Sequence, residues 1–191
     1  VNGISLIYES DLGVTFSMVE PPVLYNDPAT DPFTPDLAGG IHRVDQARQV
    51  INANFASAAY DIGHVLHQSS SNDNWSGGGV AYLGVVCENF ADSNGPFKAG
   101  GWSGSFSNSD FNWLSLFAHE IGHMFNAAHS FNGTGGFCTN GISANSAFEI
   151  GSGTTIMSYL GLCQADNNLP GSGIADNYFH TASITQMYNY S

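Results

Sequence analysis

Positive charge is nearly missing from this chain. Its 191 residues hold three Lys and Arg against 16 Asp and Glu, a formal net charge of −13. So few cations cannot neutralise a run of phosphates, which excludes nucleic acid as a partner and argues equally against an anionic membrane surface. The acids are scattered, a pattern that fits solubility better than a field steering cationic substrates. Long apolar runs are absent as well. No stretch reaches the roughly 18–20 apolar residues of a spanning helix, so no membrane insertion is expected. Cysteine is scarce, with Cys87, Cys138 and Cys163 alone, and no C-x-x-C pair offers a cysteine zinc site. Charged residues make up only 10% of the chain, and Ser, Asn and Gly take their place on the surface. That composition suits a secreted, extracellular protein.

What is present is a dense histidine run, His119-Glu120-Ile121-Gly122-His123-Met124-Phe125-Asn126-Ala127-Ala128-His129. On a helix, His119 and His123 lie about 40° apart around the axis and about 6 Å apart along it. Two imidazoles so placed can share one Zn²⁺. Glu120 sits about 100° round from His119, close enough to hold a water on that metal. His129 cannot join them on a continuous helix, because it would lie about 15 Å along the axis from His119. The chain must turn sharply between His123 and His129. Asn126 is the expected pivot, since Asn tolerates positive φ better than any residue but Gly.

This run resembles the metzincin zinc peptidases, whose pattern is H-E-x-x-H-x-x-G-x-x-H followed by a Met-turn. His119, Glu120, His123 and His129 match, while Asn126 stands where the pattern has Gly. Thr155-Ile156-Met157-Ser158-Tyr159 is similar to the Met-turn, whose methionine in that family lies beneath the zinc without binding it. Gly79-Val80-Ala81-Tyr82-Leu83-Gly84-Val85-Val86-Cys87 resembles the edge strand before the active-site helix in the reprolysin (adamalysin, ADAM-type) branch. Tyr60-Asp61-Ile62-Gly63-His64-Val65-Leu66 resembles the strand before that one. Phe148-Glu149-Ile150-Gly151-Ser152-Gly153-Thr154-Thr155-Ile156-Met157 and Tyr178-Phe179-His180 look like the secreted bacterial relatives of the branch.

The resemblance covers most of the chain and implies an α+β fold. A small twisted mixed sheet with helices forms an N-terminal lobe over about 1–129. An irregular C-terminal lobe over about 130–191 carries the Met-turn and a terminal helix, and the zinc cleft lies between them. The expectation is a single zinc peptidase catalytic domain over 1–191 and a monomer. The resemblance implies a first strand that is expected to precede this sequence, because Val1 falls inside what reads as the first long helix. The expected remainder is an N-terminal stretch, a pro-segment among the candidates, that is cut away, disordered or in another chain; the alternative is a lineage with a shortened domain.

Along the chain, residues 2–9 read as the end of a helix. Val14, Phe16 and Met18 alternate with Thr15 and Ser17 as a half-buried strand. Most of the prolines fall in a loop over 21–40. Val44, Ala47, Ile51, Phe55 and Ala58 recur at helical spacing over about 43–58. Strands are expected near 60–66 and 79–87, with a polar turn over 69–79 between them. Residues 94–109 are Gly- and Ser-rich and read as turns. The active-site helix starts after Ser109 and runs to about Phe125, with Leu114, Phe117 and Ile121 on its buried side. A last helix is expected at about 181–189.

The implied chemistry is peptide hydrolysis. His119, His123 and His129 hold Zn²⁺, and Glu120 is the general base that takes a proton from the attacking water. Met157 supports the site. In the astacin and serralysin branches a tyrosine at the place of Tyr159 reaches the zinc, whereas reprolysins do without it, so Tyr159 is either such a ligand or a core residue. An extended polypeptide substrate adds to the open edge formed by Val80, Ala81, Tyr82, Leu83, Gly84 and Val85. Leu160, Leu162 and Leu169 are expected to wall the pocket beyond the cut. Cys138 and Cys163 flank the Met-turn, and a disulfide between them would tie down its loop. The reprolysin counterpart of Cys87 pairs with a cysteine near the C-terminus that this chain lacks, so Cys87 is a free buried thiol or pairs outside the chain. His42, His64, His67 and His180 have surface or core roles. The acids of 27–31 and 166–176 are candidate Ca²⁺ ligands, although neither stretch follows the EF-hand loop. Two other functions remain open: a catalytically silent zinc-bearing binding module, and a zinc amidase acting on cell-wall peptides.

Overall fold

The computed structural model describes residues 1–27, 29–33, 42–68, 78–105, 110–168 and 176–190, with backbone alone at 105 and 110–112. Among them run four α-helices: α1 (Asn2–Leu12), α2 (Arg43–Asn54), α3 (Asp110–Met124) and α4 (Thr181–Tyr190). The strands are β1 (His64–Gln68), β2 (Gly78–Ala81), β3 (Ala91–Asp92), β4 (Gly95–Pro96) and β5 (Gly101–Ser105). The architecture is a mixed α+β one.

The helices α1 and α3 each follow an apolar stripe. In α1, Ile4, Ile7 and Tyr8 are buried, at the i, i+3, i+4 spacing of one face. It ends at Gly13, whose φ of 71° lets its N–H turn back to Glu9 O at 3.1 Å. The helix α2 stops at Asn54, short of the 43–58 expected, because Phe55 takes an extended conformation with φ −133°. In α3, Ala118, Ile121 and Met124 are buried.

The main sheet has the order β1-β5-β2, with β1 parallel and β2 antiparallel to β5. Trp102, fully buried, faces Val65 on one side and Val80 on the other. This central strand is a correction, since its sequence, Gly-Trp-Ser-Gly-Ser, reads as a turn. Gly101 serves close packing. A β-carbon on Gly101 would lie 2.2 Å from His64 Nδ1 and 3.0 Å from Met124 Sδ. The expected strand at Val14–Met18 is a second correction. Val14 and Phe16 do pack on the core, but Met18 is exposed and no ladder forms there. The polar turn expected over 69–79 lies almost wholly outside the described residues.

The β3–β4 hairpin is held from beneath by Arg48, which is completely buried. Its guanidinium pairs with Asp45 at 2.9 Å and with Asp92, bonds the carbonyls of Gly95 and Pro96, and lies 3.9 Å from the centre of the Phe97 ring. Lys98 is buried as well, bonded to Asn89 Oδ1 at 3.0 Å. Two of the three cations are therefore spent inside the fold, which leaves the surface more acidic than composition alone suggests.

The main core draws on both halves of the chain: Ile4 and Tyr8 from α1, Ile121 and Met124 from α3, Met157, and Met187 from α4. Beyond α3 the described residues have little regular structure before α4. Cys138 and Cys163 are bonded, with Cα atoms 5.1 Å apart across 25 residues. Closing a loop of that length stabilises by about 3 kcal/mol in the chain-entropy picture. Cys87 is free and exposed in a turn at φ 62°, which corrects the expected burial.

Candidate metal centre

The helix α3 carries the first two histidines and must end abruptly to bring in the third. It stops at Met124, and Asn126 takes φ 72°. The backbone N–H of Asn126 returns to His123 O at 2.8 Å and that of Ala127 to Gly122 O at 2.9 Å. The chain that follows β2 also donates to the end carbonyls of the helix. Gly84 N–H donates to His123 O at 3.0 Å, and Val85 N–H to Met124 O at 2.9 Å.

His119, His123 and His129 converge, with one ligating atom from each inside a span of 4.8 Å. Every Nδ1 faces a backbone carbonyl: Ile156 O for His119 at 2.7 Å, Ala127 O for His123 at 2.7 Å, Gly141 O for His129 at 2.6 Å. A carbonyl can only accept, so each Nδ1 carries the proton and each Nε2 presents a lone pair. The Nε2 atoms of His123 and His129 stand 3.2 Å apart. Lone pairs so close repel unless a cation lies between them. Burial, then the neighbouring imidazoles, pushes the pKa of His119 well down, and the same causes bring His123 to about 4. Burial lowers His129 too. The trio therefore stays neutral, as metal ligation requires.

Glu120 is 3% exposed, and its Oε2 is sealed with no hydrogen-bond partner among the described residues. Burial lifts its pKa to about 8. Three converging unprotonated imidazoles, with a buried carboxylate oxygen lacking a donor on the residue next to His119, fit a metal and its water. The donor set, three nitrogens with no thiolate, suits Zn²⁺ with an open fourth position.

Met157 is fully buried under this group. Its Sδ lies 2.5 Å from where a β-carbon on Gly122 would stand, so the methionine rests on the helix between His119 and His123. Tyr159 packs its ring on His129, centroids 4.5 Å apart, and lies 5.9 Å from the ring of His119. Burial first, and then the charge of Glu120, raises its pKa.

The expected substrate edge divides in two. Val80 and Ala81 belong to β2, which among the described residues is an outer strand paired with β5 alone. Val80 is exposed. Tyr82 bonds back to Gly100 O through its N–H and to Asp45 through its hydroxyl, both near 3 Å. Leu83 is exposed, whereas Gly84 and Val85 spend their N–H groups on the end of α3 and are not open edge. Leu162 is exposed and Leu160 half-buried; Leu169 lies outside the described residues.

The acids considered for Ca²⁺ act as local acceptors. Asp27 and Asp31 each take a backbone N–H two residues on at 2.9 Å, Asp166 takes those of Thr134 and Gly135, and Asp176 takes the Thr154 hydroxyl at 2.7 Å. Among the described residues the three histidines are the single cluster suited to a metal; residues 169–175 lie outside them.

Sequence reasoning passes over Glu149. Its carboxylate accepts from Ser130 Oγ, Thr155 Oγ1 at 2.6 Å and the N–H groups of Thr154 and Thr155 at 2.9 and 3.1 Å. Burial pushes its pKa up, but these four donors outweigh it and leave the group below its ordinary value. Glu149 thereby ties the residue after His129 to the residues before Met157. The available signal was its solitude, as the one carboxylate between His129 and Asp166.

A family model described as Metallo-peptidase family M12B Reprolysin-like matches residues 1–191. No curated protein matches the chain.

Proposed function

The chain belongs to the M12B reprolysin-like metallopeptidases, and on that premise we propose that it is a zinc-dependent endopeptidase that cleaves extended polypeptides. The observation that carries this reading is the convergence of three unprotonated Nε2 atoms, two of them from the helix α3, which also carries Glu120, whose buried Oε2 has no hydrogen-bond partner among the described residues. Zinc bound there supplies Lewis acidity, which activates water at neutral pH and polarises a peptide carbonyl. His119, His123 and His129 hold it, each oriented by its Nδ1 bond to a carbonyl.

Glu120 is the general base. Its free Oε2 accepts a proton from the attacking water and delivers it to the departing amide nitrogen. Burial alone would keep this carboxyl protonated near pH 7, with its pKa about 8. A cation held by His119, His123 and His129 would oppose that, since a nearby opposite charge favours the ionised form. The base and the metal site are therefore coupled. The outer strand β2 offers its backbone as an antiparallel rail for the substrate. Met157 supports the floor, and Tyr159 shields the His129 side.

The whole chain is proposed to form one catalytic domain of the secreted bacterial type, acting as a monomer. The Cys138–Cys163 bond supports an oxidising setting outside the cytoplasm. Among the described residues no helix is long and apolar enough to cross a membrane.

The test is cleavage of casein and gelatin beside peptidoglycan, with zinc content measured on the same protein. Protein cleavage at about one zinc per chain, abolished by a chelator and restored by zinc, is the expected result. Peptidoglycan cleavage alone would make it a cell-wall amidase, and bound zinc without turnover would make it a binding module.

A further inference from the structure

Resting on the reading of His123 as a zinc ligand, we propose that Gln186 of α4 is a positioning residue for that ligand, acting through the one peptide group that joins Ala127 to Ala128. His123 Nδ1 donates to Ala127 O at 2.7 Å. The N–H of Ala128 donates to Gln186 Oε1 at 3.0 Å. Ala127 C=O and Ala128 N–H are the two ends of a single planar amide. Whatever fixes the N–H therefore fixes the carbonyl, and with it the plane of the His123 ring. The bonds also act in series. An acceptor on the N–H leaves more negative charge on the carbonyl oxygen, which tightens its hold on Nδ1–H.

Both ends of this relay are anchored differently. The strap from Phe125 to Ser130 has no helix or strand of its own and passes through the positive φ of Asn126. Gln186 stands on a helix whose Ser183 and Met187 are buried and whose Ile184 packs on the main core. The other two ligands have their acceptors held elsewhere. Ile156 O lies beside the residues gripped by Glu149, and Gly141 N–H is bonded to Cys138 O at 3.0 Å, next to the disulfide. For His123 the Ala127 N–H is bonded to Gly122 O at 2.9 Å, and the far side of the acceptor peptide is held from the C-terminal helix, 58 residues from the strap.

The test compares Gln186→Met, similar in length but without an acceptor, with Gln186→Glu, which keeps one. Zinc dissociation constants are measured on the whole chain by competition with a chromophoric chelator, together with melting of the metal-free protein. We expect about ten-fold weaker zinc binding for the Met variant, within the range for lost outer-shell partners, and wild-type affinity or better for the Glu variant. A merely structural glutamine would lower the metal-free melting temperature and leave the zinc constant unmoved. The proposal is overturned if the Met variant binds zinc within two-fold of wild type, or if the Glu variant is as weak as the Met variant. Should the Met variant not fold, amide exchange in the wild-type protein decides: a slowly exchanging Ala128 N–H supports the relay, and exchange at open-loop rates overturns it. A wild-type chain that binds no zinc brings down the reading of His123 itself, whereas zinc binding indifferent to Gln186 brings down this proposal alone.

Discussion

Gly79 of β2 lies against the carboxylate of Glu120 on α3. A β-carbon on Gly79 would stand 2.3 Å from Glu120 Oε1 and 2.5 Å from its Cδ. The outer strand thus leaves out a side chain at the one point where the base needs room. Gly79→Ala must move either the strand or the carboxylate, and the carboxylate is the softer of the two. A misplacement of about 1 Å at a reacting group costs about 10²-fold in rate. We expect kcat to fall by about that factor, with one zinc still bound and the melting temperature little changed. Wild-type kcat in a folded, zinc-loaded Gly79→Ala protein would show that Glu120 is not constrained from this side.

Replacing the base itself separates binding from chemistry. Glu120→Gln keeps the shape of the side chain and its hydrogen bonding to water but cannot take a proton. General base catalysis contributes about 10²–10⁴ in rate. Peptidase activity should therefore drop by at least two orders of magnitude while zinc stays at one equivalent by elemental analysis. Retention of a tenth of wild-type turnover would remove Glu120 from the mechanism.

The parts of the fold that were legible in the sequence are those set by local geometry. The helical period of Leu114, Phe117 and Ile121 marks α3, and the histidine spacing demands a reversal that the left-handed Asn126 provides. What was not legible depends on partners far along the chain. Strand β5 reads as a turn because glycine is a poor strand former, yet Gly101 is required by the approach of His64 and Met124. Val14 and Phe16 alternate like a strand because their side chains do face the core, but alternation reports facing and not pairing. Glu149 escaped notice because its donors, Ser130, Thr154 and Thr155, are brought to it only by the folded loop.

Glu149 gives a stability prediction. Gln at this position keeps one acceptor oxygen and turns the other toward donors as an NH₂ group, so at least two of the four donors lose their partner. Each buried donor left unsatisfied costs about 1–3 kcal/mol. Glu149→Gln should destabilise the fold by a few kcal/mol in urea unfolding and loosen zinc, because the clamp holds the segments bearing His129 and Met157. The effect on zinc should exceed that of a mutation elsewhere on the same loop, such as Thr139→Ala, whose hydroxyl bonds only its own turn. Equal zinc affinity in wild type and Glu149→Gln would show that the clamp serves the loop alone.

The last prediction concerns acid. His64, outside the metal group, bonds Ser103 Oγ through Nε2 at 2.9 Å and packs on the Phe117 ring, while its Nδ1 is sealed without a partner among the described residues. Burial lowers its pKa from 6.5 to about 3. In the unfolded chain the same imidazole titrates near 6.5. Between these values the unfolded state binds a proton that the folded state refuses, so protonation favours unfolding. The stabilising contribution of a neutral His64 is complete above about pH 6.5 and drains away as pH falls toward about 3. The zinc ligands act in the same direction, which makes the metal-free protein the proper sample with His64→Gln as its control. The amide can still meet Ser103, yet takes up no proton. Urea midpoints measured from pH 7.5 to pH 4 should fall for both proteins, and more steeply for wild type. Parallel curves would mean that His64 is protonated in the fold, with its ring reaching solvent through Nδ1.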